Sequence, residues 1–384
     1  MSDFNGQRLK EARYFNSLTI TELANKLNVT KQMVSKYENN KSRPSNLVLF
    51  NLVKVLKFPN EFFFQKDSFS ENSSGTFYRS KLTSTQKQKL PSHMIVKSIS
   101  VYADYLSKYV DFPKLDRINV DINNDYIDYE HFSFMLRKHW KLNQNPINNF
   151  MDLLETHGFI NAVLPKSMDK VDAFSNYENI NDYIYYIIVT KKYTSFYRQQ
   201  FSLAHELGHW LLHSDDTDPE SLDNEEYRDK EKQANKFASA FLLPRNGFIN
   251  SVKDLKYINL DSIIRLKAYW NVSMAAIIYR MYSLNLINTK DYLKLQRSMS
   301  YKGYRKIEPL DNDKPISSPT SLKYATELLV DNNILNPIQI PYEIKQFYNF
   351  SLLPSLWERL INLKKGYLSN ESKNVITIND KYKG

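Results

Sequence analysis

The sequence predicts a mainly α chain with one small β-sheet (α+β), on three observations. Apolar residues recur at helical spacing through residues 4–66. One stretch, "DYIYYIIVT", is dense in aromatic and β-branched residues; with "FINAVLP" and "VDAFSNY" before it, it reads as a few strands and no more. Helical periodicity then returns over about 196–213, 229–243, 258–269 and 273–285. With 384 residues the chain can bury more than one core.

Composition narrows the chemistry. There is no cysteine, which removes disulfides, thiolate metal sites and cysteine nucleophiles together, so any metal must be held by His and carboxylates. The first residues lack an apolar signal core and no long uninterrupted apolar run occurs, so a cytoplasmic chain with no membrane association is expected. The net charge is +10 and unevenly spread. Residues 1–66 carry eleven Lys/Arg against five Asp/Glu, whereas residues 214–231 carry nine acids against two bases. Nucleic acid is attracted to the first region only.

The N-terminal helices come first. "ITELANKL" supplies one amphipathic helix, entered at Thr19 or Thr21. A short turn at Asn28–Val29 leads to Thr30, which can cap a second helix, "KQMVSKYE". Val34 and Tyr37 face inward on it, so Lys31, Gln32, Ser35 and Lys36 face outward, where the N-terminal half of such a helix enters a major groove. Gln can bond an adenine edge twice and Lys can reach guanine or phosphate. Asn39, Asn40, Lys41 and Arg43 follow as phosphate contacts. Against this stands a plain packing module with a solvated charged face. The order "LKEAR", "ITELANKLNVTKQMVSKYENNKSRPS", "LVKVLKFP" resembles the phage-repressor-like (XRE/Cro-type) helix-turn-helix family over about 55 residues. That resemblance implies binding to double-stranded operator DNA, with a homodimer on two half-sites.

Residues 67–90 are rich in Ser, Thr and Lys and read as a linker, within which "TFYRS" has the pattern of a short docked strand. Residues 91–157 are helical in pattern, the last helix ending at Gly158. After the strands comes "FSLAHELGHWLLH", residues 201–213, with three of the seven histidines.

His205 and His209 are four apart, so on a helix their imidazoles share one face and can share an ion. Glu206 is offset by one position, beside the ion rather than on it, where a carboxylate serves as general base. The competing reading is a buried helix with satisfied histidines, but the rest of the helix is apolar and unpaired polar groups there are costly. A third ligand is required. By helix phase Glu231 of "EKQANKFASAFLLP" is preferred, with Asn235 one turn later able to hydrogen-bond a ligand histidine. Glu225, Glu226 and Asp229 are rivals placed in the acidic loop before that helix. His213 has no glycine turn before it and reads as packing or outer support. Arg198, seven residues before His205, is a candidate donor for an oxyanion or a partner in a structural salt bridge.

"RQQFSLAHELGHWLLH" paired with "EKQANKFASAFLLP" resembles the ImmA/IrrE family of zinc metallopeptidases, and "VDAFS" and "VSMAAIIYRMYSLNLI" extend the likeness over roughly 150–300. Gln233, where many members have a second Glu, and the bulky Trp210 depart from the family pattern. The resemblance implies a zincin-like (gluzincin-type) domain in which His205, His209 and Glu231 bind Zn2+ and Glu206 is the general base. It further implies narrow action on a repressor-like protein, to which the fused DNA-binding module adds the chain's own linker as a second target. The expected division is 1–66 helix-turn-helix, 67–90 linker, 91–300 metallopeptidase domain with a helical lead-in, and 301–384 an extension without a chemical motif. A regulator whose zincin-like domain only senses a ligand or metal is the alternative.

Overall fold

The computed structural model describes residues 3–66, 77–80, 91–116, 118, 128–163, 171–181, 183–190, 195–213 and 223–369. Most of the linker (67–76 and 81–90) and the first part of the acidic stretch (214–222) therefore lie outside the described residues.

The N-terminal unit comprises α1 (Gly6–Phe15), α2 (Ile20–Leu27), α3 (Lys31–Glu38) and α4 (Asn46–Leu56), then a 3-10 turn at Asn60–Phe64. Its boundaries are set locally. Thr19 and Glu22 form a reciprocal capping box at the start of α2, and Asn28 ends it in the left-handed conformation. Thr30 then caps α3 by accepting from the Met33 N–H. The buried Arg13–Glu38 pair, at 2.5 Å, ties α1 to the end of α3.

Four strands form one sheet in the order β1-β3-β4-β2. β1 (Phe77–Ser80) and β4 (Tyr183–Thr190) both run antiparallel to β3 (Val171–Ile180), and β2 (Ile160–Val163) runs parallel to β4. Alternation along β4 divides the molecule. Tyr185, Ile187 and Val189 belong to one core, and Tyr186 and Ile188 to another.

The first core joins the N-terminal unit to α5 (Pro91–Ser107), to one face of the sheet and to the C-terminal helices α14 (Ser321–Asp331), α15 (Ile340–Tyr348) and α16 (Pro354–Leu360). The second core packs α6 (Tyr129–His139), α7 (Phe150–Thr156), α8 (Phe196–His213), α9 (Asn224–Leu242), α10 (Arg245–Lys253), α11 (Leu260–Trp270), α12 (Met274–Ser283) and α13 (Thr289–Tyr301) on the other face.

Two features differ from the sequence expectation. The helix carrying Glu231 begins at Asn224, not near 229, because Asp223 and Glu226 form a capping box. Glu225, Glu226 and Asp229 are thus helical and exposed rather than in a loop. The C-terminal extension, which carried no motif, contributes Leu322, Leu329, Ile344, Tyr348, Phe350 and Trp357 to the first core. There the Asp104 carboxylate accepts from the Tyr185 hydroxyl at 2.9 Å, the Tyr348 hydroxyl at 2.6 Å and Asn181 Nδ2 at 2.9 Å.

The same extension holds the N-terminal unit. Gln65 Nε2 donates to Ser351 Oγ, and the Ser351 N–H donates back to Gln65 Oε1, both buried. The Arg8 guanidinium lies about 5 Å from the ring centres of both Phe62 and Phe350.

Candidate functional site

α8 and α9 lie side by side on the second core, and Gly208 sets their spacing. A Cβ there would come within 3.1 Å of the Phe237 ring and 3.2 Å of the Ala234 backbone. A glycine inside a helix costs about 1 kcal/mol relative to alanine. Here it permits the close approach that brings α9 against the histidine face. Trp210 fixes the opposite side of α8, edge-on to Phe159 at 4.9 Å.

That approach gathers His205, His209 and Glu231. The two Nε2 atoms are 3.0 Å apart, and the Glu231 carboxylate oxygens lie 3.4 Å from His205 Nε2 and 3.2 Å from His209 Nε2. Both imidazoles are fully buried.

The outer hydrogen bonds fix how the rings are presented. His205 Nδ1 is 3.0 Å from Asn235 Oδ1, a carbonyl that only accepts, so Nδ1 carries the proton. His213 Nε2 likewise donates to Gln233 Oε1 at 2.8 Å, which leaves its Nδ1 to accept from His209 Nδ1–H at 3.0 Å. Burial, and then the neighbouring His209, push the His213 imidazole well below its ordinary value, which keeps it neutral for this role. Each ligand histidine therefore presents an Nε2 lone pair toward an anionic carboxylate, an arrangement that calls for a cation between them. With zinc–ligand bonds of about 2.0–2.1 Å, the edges of a tetrahedral site are about 3.3 Å. The separations of 3.0, 3.2 and 3.4 Å match them, so the donor set fits the ion.

Glu206 is fully buried on the same helix and turned to the sheet. Ser175 Oγ on β3 donates to Glu206 Oε2 at 2.7 Å, and the Tyr186 hydroxyl on β4 donates to Ser175 Oγ at 3.2 Å. Sequence reasoning assigned no role to Ser175 or Tyr186, for which the information lies in sheet register. It read His213 as packing or outer support, and its bond to His209 is of that kind, whereas its partner Gln233 was noted only as a departure from the family pattern.

Arg198 Nη2 donates to the Arg305 carbonyl at 3.0 Å, which braces the segment after α13, and two helical turns, about 10 Å along the axis, separate it from His205.

At the other end of the chain, Lys31, Gln32, Lys36, Lys41 and Arg43 are exposed and Ser35 is half-buried, while Val34 and Tyr37 are buried beneath them. Asn40, expected at phosphate, uses its Oδ1 to accept from the Gly6 N–H at 2.7 Å, and Asn39 Nδ2 donates to the Ser35 carbonyl. A groove of about 450 Å³ beside them is lined by Asn5, Asn40, Lys41, Arg43 and Lys66. Lys66 adds a cation that the sequence reading did not place there.

Residues 163–282 match the family model of the IrrE N-terminal-like domain, a peptidase family, and residues 9–59 match a helix-turn-helix model. The chain thus joins the two domains whose motifs the sequence displays, and both sets of site residues lie inside the matched segments. No curated protein matches the chain. Among the described residues, no helix is long and apolar enough to cross a membrane.

Proposed function

We propose that this transcription regulator with a protease-family domain is a zinc-dependent endopeptidase that cuts a repressor-like protein, or its own linker, to change gene expression in the cytoplasm. The observation that carries the reading is the convergence of His205, His209 and Glu231 within 4.8 Å, with Glu206 on the same helix. Bound there, zinc would supply Lewis acidity to a peptide carbonyl and to the attacking water.

The protein's own groups do the rest. Glu206 accepts the proton of the attacking water and returns it to the leaving nitrogen. Ser175 holds one oxygen of that carboxylate, so its rotamer is set before substrate arrives. Gln233, through His213, and Asn235 keep both ligand rings in the tautomer that binds a cation. At the DNA end a homodimer places α3 of each copy in the major groove of double-stranded operator, with Gln32 toward base edges and Lys31, Lys36, Lys41 and Arg43 toward phosphate or guanine.

Glu206→Gln tests the reading. The variant is expected to keep about one zinc per chain while cleavage, and regulation that depends on it, falls by about 10²–10⁴-fold. If the variant regulates as the parent does, the domain is a metal or ligand sensor instead.

A further inference from the structure

The outer edge of β3 is taken by β1, and β1 comes from the linker. Its register sets Phe77 opposite Ser175, Tyr78 opposite Phe174 and Arg79 opposite Ala173. Ser175 is the residue whose hydroxyl holds Glu206. Adjacent strands are about 4.8 Å apart, so the Phe77 backbone lies one strand spacing from the backbone of Ser175, whose side chain touches the proposed general base. An extended peptide that presented its main chain to this site by strand addition would bond to this same edge of β3.

We propose that Phe77–Ser80 is the resting occupant of the substrate's strand position. The substrate is an extended polypeptide segment that adds antiparallel to β3 and must first displace the chain's own strand. This rests on the peptidase reading above. The occupant is built to leave: it is four residues long, and its register slips between Arg79 and Ser80. As a tethered strand it competes at an effective concentration of the order of millimolar. Only a segment delivered by docking, or one that pairs better with β3, gains the site.

The test uses the full-length, zinc-loaded Glu206→Gln chain, so that peptide is bound without being cut. A labelled peptide of residues 74–83, SGTFYRSKLT, is titrated into this parent, into the same chain with Tyr78→Pro, and into one with residues 77–80 replaced by Gly-Ser-Gly-Ser. Proline cannot serve in the ladder, and the Gly-Ser replacement removes the strand without proline's local effects. Both variants are expected to bind the peptide at least about tenfold more tightly than the parent. Amide protection of Ala173–Ser175 should fall in both variants and return with peptide. Equal affinity in all three chains, or no binding by variants whose helices stay protected, overturns the proposal. So does release from the wild-type chain of fragments cut within 67–90, because the strand would then be a substrate and not a competitor. If catalysis is absent but the affinity difference is present, the peptidase reading fails and the strand site stands.

Discussion

The two candidate sites of this chain are built in opposite ways. The proposed DNA-reading face is made of side chains that project into solvent from α3 and the turn after it. The candidate metal cluster is made of buried and half-buried side chains from two helices, backed by the sheet, and its members are supported by other side chains. An exposed face loses one contact when one residue changes. A buried cluster is coupled, so one change leaves other polar groups without their partners.

That contrast can be broken in order of expected effect. His205→Ala should bring zinc from about one per chain to a small fraction, measured by elemental analysis after gel filtration, because two remaining protein ligands do not hold the ion. Retention of stoichiometric metal would mean that the cluster is not the site. His213→Ala touches no ligand position yet should weaken zinc affinity by about 10–100-fold, read by competition with a chromophoric chelator. An unchanged affinity would show that His209 needs no help, and the buried end would then be less coupled than argued. Gln32→Ala should be the mildest, a loss of about 1–3 kcal/mol on the specific operator with little change on random duplex. Equal loss on both would remove base readout from α3.

How much was legible follows the same division. Thr19, Asn28 and Thr30 mark helix ends by interactions that span four residues or fewer, so α2 and α3 fall where the sequence places them. His205, His209 and Glu231 were legible because helix phase places each on a particular face, whatever the tertiary fold. Ser175 and Tyr186 were not, since only the pairing of β3 with β4 and the seating of α8 bring them to Glu206. The acidic run before Glu231 reads as a loop by composition, yet acids favour a helix N-terminus, and α9 starts among them. Arg198 shares a sequence neighbourhood with the histidines but is claimed by a carbonyl more than a hundred residues away.

The contact between Gln65 and Ser351, with Arg8 held between Phe62 and Phe350, bears on what a break in the connecting segment could achieve. The N-terminal helices share a core with α5 and the C-terminal helices, both of which lie on the far side of any such break. A nicked chain would migrate as two bands in denaturing gels while still eluting as one particle. Peptide-bond scission alone would therefore leave the N-terminal helices seated; the halves would still have to be pulled apart, as a seam must be after its thread is cut.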